Sequence, residues 1–218
     1  MEEFDFVPAT TADKDAILNV ALDEFIREEP HSVALGFTRE NCFAFLDYIV
    51  TMCLHFPHNL IVREKATGEI AAIRLMSEAH RDKALDYSPY ELDMAKLDER
   101  VLILDKLIDS VKEQIWTLRP EANLVLRSEI VFVNPRHQRK GIARTMLNDG
   151  LDYAQLRAAG FDGIQAEASS HANQQLLALN GYERIYESDP EQLSWPDGTR
   201  IQLHDATTCY HLMYKSLH

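Results

Sequence analysis

Residues Val131–Leu147, VFVNPRHQRKGIARTML, are the most informative part of the sequence, because an apolar run typical of a strand leads through a basic turn into a predicted helix. Glycine lets backbone N–H groups approach a ligand closely, and the start of a helix offers unpaired donors and the positive end of a dipole. Arg136, Arg139 and Lys140 add positive charge to the same turn. The turn therefore predicts a seat for a phosphate group.

The composition restricts the partners of the chain. It has 218 residues and a formal charge of -13, so we expect one domain spanning residues 1–218 that repels nucleic acid and anionic membranes. Cys42, Cys53 and Cys209 show no zinc or disulfide spacing, and the histidines form no metal set. The N-terminus has no signal-peptide pattern and no apolar run could span a bilayer, which predicts a cytoplasmic protein.

The first half alternates strand and helix patterns. Phe4–Val7 is a predicted strand, and a helix through Ile17 and Phe25 is predicted to end at Glu29-Pro30. A second helix runs from Thr38 to Pro57. The runs 59–63 and 69–75, joined by a turn with Gly68, predict an antiparallel hairpin.

Apolar residues recur every three or four positions between Asp93 and Leu118, and Pro120 follows them. This pattern predicts one long amphipathic helix that lies over a sheet as a lid. A helix that dimerises as a coiled coil is the alternative.

The second half predicts a β-α-β unit. Residues 124–133 form the central strand, a helix runs from about Gly141 to Ala158, and residues 164–168 form the next strand. A short helix over residues 173–179 follows and ends at Asn180-Gly181. Two further predicted strands span residues 182–186 and 208–214.

Gln138, Gly141 and Ala143 match the Gln/Arg-x-x-Gly-x-Gly/Ala signature, and with the strand before, the helix after and Gly181-Tyr182 the chain resembles the GNAT superfamily of N-acetyltransferases. The resemblance implies an α/β (α+β) fold: a mixed, mostly antiparallel twisted sheet of about seven strands, splayed at strands 4 and 5 and flanked by helices. An extra long helix lies between strands 3 and 4. Nucleoside triphosphatase and dinucleotide motifs are absent.

The resemblance also implies that acetyl-CoA is the acetyl donor. Backbone amides of Val131 and Val133 would pair with pantetheine beside Phe132, and Gln138 and Asn173 would also contact the donor. The pyrophosphate would lie on the turn formed by Arg139, Lys140, Gly141, Ile142 and Ala143.

Phe25-x-x-x-Glu29-Pro30 and Ala168-Ser169-Ser170-His171 make the insect-type arylalkylamine N-acetyltransferases the most similar members. In that family the glutamate before the proline is the catalytic base, which implies Glu29, and the first of two serines corresponds to Ser169. The second serine is replaced by Asn173. An acidic helix end and a helix cap are the ordinary alternatives for Glu29 and the serines.

Two further positions bear on the proton transfers. Leu177 stands where many superfamily members have a tyrosine that protonates the leaving thiolate, so the general acid stays open. Glu129 is a second candidate for the base, and strand alternation predicts that it shares a face with Val131 and Val133, where it could pair with Arg127 or Arg74.

The expected reaction is direct transfer of acetyl to the primary amine of a small molecule by a monomer or weak homodimer. Phe25, Glu29, His31 and Phe37 would help to build the amine pocket. An arylalkylamine is favoured, with aliphatic amines and polyamines as alternatives. A non-catalytic acyl-CoA sensor is the rival from another class.

Overall fold

The computed structural model describes residues 1–218 and contains one seven-stranded sheet. The order across the sheet is β1-β2-β3-β4-β5-β7-β6. All neighbouring strands are antiparallel except β4 and β5, which are parallel. The strands are β1 (Phe4–Pro8), β2 (Leu60–Glu64), β3 (Ile70–His80), β4 (Leu124–Val133), β5 (Gly163–Ala168), β6 (Glu183–Glu187) and β7 (His211–Ser216). The sheet predicted from the sequence is thus confirmed.

Helices cover both faces of this sheet. They are α1 (Lys14–Val20), α2 (Ile26–Glu28), α3 (Pro30–Leu35), α4 (Arg39–Cys53), α5 (Glu99–Lys112), α6 (Ile115–Leu118), α7 (Ile142–Met146), α8 (Tyr153–Ala158) and α9 (His171–Leu179). A π-helical segment, Ala21–Phe25, joins α1 to α2. None of these helices combines the length and the apolar character needed to cross a membrane.

The predicted lid helix between Asp93 and Leu118 is not continuous. It is replaced by a 3-10 turn at Met94–Lys96, then α5, then α6. Asp98 caps α5 by accepting a hydrogen bond from the amide of Arg100 at 2.9 Å, which explains the late start. Val101, Leu104, Leu107 and Val111 are buried inside the chain itself. The intramolecular packing of this segment is thus confirmed, and its apolar seam is not free for a coiled coil.

The predicted helix over residues 141–158 is also wrong as one element, because it breaks between α7 and α8. The guanidinium of Arg74, on β3, donates to the backbone carbonyls of Met146 and, at 2.8 Å, Asp149. These bonds satisfy carbonyls at the end of α7. Asp152 then caps α8, accepting from the amide of Ala154 at 2.9 Å.

The sheet splays between β4 and β5. Only residues 125–128 of β4 pair with β5, so residues 129–133 leave that edge open. On the other edge, Leu75 pairs with Ile130 and Met76 with Ser128, which leaves Glu129 as an extra residue in a β-bulge. The open edge lies directly before the basic turn. The predicted splay at strands 4 and 5 is confirmed.

Candidate functional site

The open edge of β4 and the following turn form a groove of about 640 Å³, here called the strand groove. Its walls come from β4, the turn after it, the end of β5 and α9. The lining residues include Val131, Phe132, Val133, Gln138, Arg139, Gly141, Ile142, Ala143, Ser170 and Asn173. Lys140 belongs to the same turn but does not line the groove; its ammonium lies 3.6 Å from Glu3 and faces the ring of Phe4.

The backbone of β4 offers unpaired donors to this groove. The amide of Asn134 donates to Ala71 on β3 at 2.9 Å. Since successive amides alternate in direction along a strand, those of Val131 and Val133 point to the unpaired side. The side-chain amide of Gln138 donates to the carbonyl of Val133 at 3.2 Å, which ties the turn to the strand.

The basic turn has an unusual backbone. Arg139 has a φ of 63° and is the only non-glycine residue with a positive φ, and Gly141 has a φ of 85°. None of the five amides from Arg139 to Ala143 donates a hydrogen bond within the chain. A Cβ at Gly141 would meet no atom within 4 Å, so the space beside it is open. Unpaired amides on a strained turn form a concave site for an anion.

The helix after the turn contributes less than the sequence suggested. α7 has only 5 residues, so its macrodipole is short, and the turn amides themselves are the main donors.

Phe132 points toward the core. Its ring is 5 % exposed and packs edge-on against Phe25 at 6.1 Å.

A second cavity, of about 660 Å³, lies between the sheet, α4, α5 and the segment before α5. We call it the acidic cavity, because eight carboxylate residues line it and only two basic ones: Glu29, Glu78, Asp86, Glu91, Asp105, Asp109, Glu129 and Glu167 against Lys112 and Arg127. Its aromatic lining residues are Phe25, Phe37, Phe45, Tyr48, Tyr87, Tyr90 and Tyr210. A small cation with an apolar body suits such a lining.

The two cavities meet where β4 and β5 separate. Six residues line both of them, and we call this set the junction: Phe25, Glu29, Glu129, Ile130, Glu167 and Ser169. The structure therefore brings Glu29 and Ser169 together, although they are far apart in sequence. His31 is excluded from the acidic cavity and lines a separate cavity of about 200 Å³ instead.

Glu29 is buried and is the N-cap of α3. Its Oε1 accepts from the amide and the Nδ1 of His31, both at 3.1 Å, and its Oε2 accepts from the amide and hydroxyl of Ser32, both at 2.6 Å. Burial by itself would raise the pKa of Glu29, but the hydrogen bonds and charge of His31, with those of Ser32, hold that pKa below its usual value. Glu29 is therefore an ionised carboxylate that accepts four hydrogen bonds.

Glu129 does not share a face with Val131 and Val133, contrary to strand alternation, because the bulge reverses its direction. Its oxygens accept from Ser77 at 2.7 Å and from the ammonium of Lys112 at 2.8 Å. Burial opposes ionisation, but Lys112 and Arg127 nonetheless lower the pKa of Glu129. Neither Arg74 nor Arg127, the two predicted partners, donates a hydrogen bond to Glu129. Arg74 donates to backbone carbonyls, and the Nε and Nη2 atoms of Arg127 have no hydrogen-bond partner.

Glu167 is a junction residue that the sequence analysis did not identify. Gln165, Glu167 and Ser169 alternate on the face of β5 that meets the acidic cavity, whereas Ile164, Ala166 and Ala168 pack into the core. Alternating polar residues on an interior strand were the signal that could have revealed it. Burial raises the pKa of Glu167, and the negative charge of Glu129 raises it further. The positive charges of Lys112 and Arg127 lower it, but the net shift is upward.

The end of β5 separates the two serines. Ser170 caps α9 by accepting from the amide of Asn173 at 3.3 Å, as its alternative interpretation proposed. Ser169 instead lines the junction, close to the phenol of Tyr210. Burial keeps the pKa of Tyr210 well above its usual value, and Glu29 and Glu167 add to this effect. Leu177 is buried in the core and does not reach either large cavity.

One group of potential metal ligands forms elsewhere. Donor atoms of Glu187, Cys209 and His211 lie within 4.8 Å of one another. Glu187 already pairs with Arg184, and none of the three lines either large cavity. The three cysteines are free thiols.

Comparisons with known proteins connect this geometry to a family. Residues 115–182 match the model of the acetyltransferase (GNAT) family. This match includes β4, the basic turn, the end of β5 and α9, which form the walls of the strand groove. No curated protein sequence is significantly similar to the chain.

Solved structures show the same fold along the whole chain. Arylalkylamine N-acetyltransferase 2 from Aedes aegypti aligns with a TM-score of 0.79 at 15% identity, covering 99% of each chain. The polyamine N-acetyltransferase of Drosophila melanogaster aligns at 0.77 and 12% identity, covering 98% of this chain and 99% of the other. An agmatine N-acetyltransferase aligns at 0.78 and 12% identity with the same coverage. The chain thus has the GNAT fold and carries a GNAT acetyltransferase domain.

Proposed function

We propose that this chain is an acetyl-CoA-dependent N-acetyltransferase that transfers acetyl directly to the primary amine of a small molecule. The observation that carries the proposal is the junction, where a groove of unpaired backbone donors opens into a cavity of opposite character. An acyl donor and an amine entering from the two sides would meet between β4 and β5. Holding the two reactants at attack distance supplies much of the rate of such a transfer.

The strand groove fits the acetyl donor. The amides of Val131 and Val133 would bind pantetheine as an added strand, and Asn173 lies across the groove from them. The unpaired amides of residues 139–143 would hold the pyrophosphate, with positive charge from Arg139. When bound, the donor supplies a thioester that an uncharged amine can attack.

The acidic cavity fits a cationic amine. Its excess of carboxylates attracts the ammonium form, and its aromatic walls would contact an apolar body. The seven aromatic lining residues favour an arylalkylamine. This is consistent with the arylalkylamine N-acetyltransferase among the similar structures, although that likeness concerns the fold.

A polyamine or guanidino amine is the second candidate, and a specific pair of residues favours it. Asp105 and Asp109 lie one turn apart on α5 and both line the acidic cavity. Burial, reinforced by the charge of Asp109, raises the pKa of Asp105 to about 6. Close carboxylates that are short of positive partners would be stabilised by a second cation on the substrate.

Glu29 and Ser169 are the catalytic candidates that the family resemblance implies. In this proposal Ser169, which lines both cavities near Tyr210, passes a proton to the departing thiolate. Glu29 contributes negative charge beside the incoming ammonium, and the family resemblance makes it one of the candidates for the base.

A thiol-release assay with acetyl-CoA and a panel of amines tests the function. The panel contains phenethylamine, tryptamine, agmatine and spermidine, and mass spectrometry identifies the acetylated product. Release of coenzyme A together with an N-acetyl amine is the expected result. Binding of acetyl-CoA without release for any amine would favour the acyl-CoA sensor and contradict the enzyme.

A further inference from the structure

Three glutamates, Glu29, Glu129 and Glu167, line the junction, and the reaction needs one of them to accept the proton of the ammonium. They differ in how fully their oxygens are already bound. Glu29 accepts four hydrogen bonds from two neighbouring residues. These donors stabilise the carboxylate and would be left without an acceptor if one oxygen were protonated, so Glu29 is a weak base.

Both oxygens of Glu129 also have partners within the chain. Its Oε2 lies 2.8 Å from the ammonium of Lys112, and its Oε1 accepts from Ser77. Protonation of Glu129 would leave the charge of a buried lysine unpaired, which is costly. The bulge thus directs Glu129 toward Lys112 on α5, where it balances the charge of the lysine and does not exchange protons with the substrate.

Glu167 is bound by a single side chain. Its Oε1 accepts from the amide of Gln165 at 2.6 Å, and its Oε2 has no hydrogen-bond partner within the chain. The residue lies on β5, across the splay from the bulge of β4, and it lines both cavities. Glu167 therefore brings a carboxylate oxygen without a hydrogen-bond partner to the junction, where amine and thioester would meet.

We propose that Glu167 is the proton acceptor of the reaction, and that Glu29 and Glu129 hold the fold and the charge balance around it. This inference rests on the proposed acetyltransferase function. The ammonium nitrogen of the substrate gives one proton to Oε2 of Glu167, and its freed electron pair forms a bond to the thioester carbonyl carbon. The carbon–sulfur bond then breaks, and the hydroxyl of Ser169 gives its proton to the departing sulfur and takes the second proton of the nitrogen as the amide forms. Glu167 returns its proton to water in the acidic cavity.

The surroundings of Glu167 agree with this role. Burial and the neighbouring Glu129 raise the pKa of Glu167 above its usual value, which makes this carboxylate a stronger proton acceptor. Lys112 from α5 and Arg127 from β4 oppose that rise and keep the group ionisable. Tyr210, from the segment before β7, carries a neutral phenol beside the junction, and the charges of both Glu29 and Glu167 act on it.

The test compares Glu167→Gln with the wild-type chain for two amines of the same shape. One is the most active amine of the panel, and the other is a fluorinated analogue that is largely uncharged at the assay pH. The uncharged analogue has no proton to lose before attack. We expect the variant to lose roughly 100-fold or more in single-turnover rate with the basic amine, and a much smaller factor with the analogue.

The pH profile is the second readout. The wild-type rate at saturating basic amine falls at acid pH as Glu167 is protonated, and this limb is absent in Glu167→Gln. Glu29→Gln and Glu129→Gln keep the limb. Glu191→Gln, in an exposed turn outside both cavities, is the matched control.

Equal losses with both amines, or an unchanged acidic limb in Glu167→Gln, would overturn the assignment. So would loss of the limb in Glu29→Gln with its retention in Glu167→Gln. Coenzyme A affinity and the melting temperature show that each variant is folded. Failure of the proposed function is a different result, since the wild-type chain would then acetylate no amine at all.

Discussion

The side-chain amide of Gln165 lies 2.6 Å from Oε1 of Glu167, so a neutral donor holds this carboxylate at the junction. The same nitrogen donates to the backbone carbonyl of Lys112 at 3.1 Å, which links β5 to the end of α5. The hydrogen bond stabilises the ionised form of Glu167 without cancelling its charge.

Gln165→Met should therefore move the acidic limb of the reaction to higher pH. Methionine has a similar length but donates no hydrogen bond, so the carboxylate of Glu167 becomes harder to ionise. The measurement is the single-turnover rate across pH with a basic amine. Gln155→Met, on the exposed surface of α8, is the control and should leave the profile unchanged. A limb that stays in place or moves to lower pH would contradict the prediction.

Glu167→Gln should stabilise the chain at neutral and alkaline pH. The pKa of Glu167 is raised in the folded chain, because burial and Glu129 disfavour its charge. Folding stability therefore falls as the pH rises through that pKa, and the loss is absent at pH values below the unfolded pKa. The variant should melt above the wild-type chain at pH 8 and at the same temperature near pH 4. Lower stability at pH 8 would show that Glu167 is held mainly by Lys112 and Arg127.

Glu29→Gln should have the opposite effect on stability. Its carboxylate accepts four hydrogen bonds at the start of α3, and a glutamine side chain cannot accept all of them. We expect a loss of roughly 1–3 kcal/mol at neutral pH. Because the pKa of Glu29 is lowered, its contribution is present above the unfolded pKa and is lost as the pH falls through the folded value. Denaturant unfolding at pH 7 and at acid pH checks both points.

Gly141→Glu should abolish binding of coenzyme A, since the new side chain would extend into the strand groove and add negative charge there. Gly198→Glu is a matched control, because Gly198 has the same φ of 85° and also has no atom within 4 Å of an added Cβ. Both variants carry the same backbone strain. Calorimetry should detect binding in the control alone, and equal affinities in the two variants would argue against the turn as the pyrophosphate site.

Asp105→Asn combined with Asp109→Asn separates the two substrate candidates. If the acidic pair binds a second cation, kcat/KM for agmatine and spermidine should fall by about tenfold or more, as expected for a lost charged contact of roughly 1.5–3 kcal/mol. The value for phenethylamine should change much less, because its only cation lies at the junction. Equal changes for all amines would show that the pair attracts positive charge without selecting among substrates.

Much of the fold follows from local sequence patterns. The apolar periodicity predicted the strands, and the family resemblance carried by the signature from Gln138 to Ala143 implied the splay and the donor site after β4. The breaks in two long helices were not predicted, because they depend on contacts between distant residues. Arg74 on β3 satisfies carbonyls after α7, and no local pattern signals that bond.

The junction residues also include some that the sequence predicted and some that it did not. Glu29 and Ser169 were identified from their sequence context, and the structure brings both to the junction. The face of Glu129 was predicted wrongly, because a one-residue bulge reverses the alternation of a strand and leaves no mark in its composition. Glu167 was missed although Gln165, Glu167 and Ser169 alternate, because no local pattern shows that this face of β5 borders two cavities.

A crystal structure of the chain with bound coenzyme A is the decisive measurement. We expect the pyrophosphate on the amides of residues 139–143, pantetheine along the open edge of β4 at Val131 and Val133, and the sulfur at the junction beside Glu167. Coenzyme A bound elsewhere, or a sulfur that lies away from the splay between β4 and β5, would contradict this expectation.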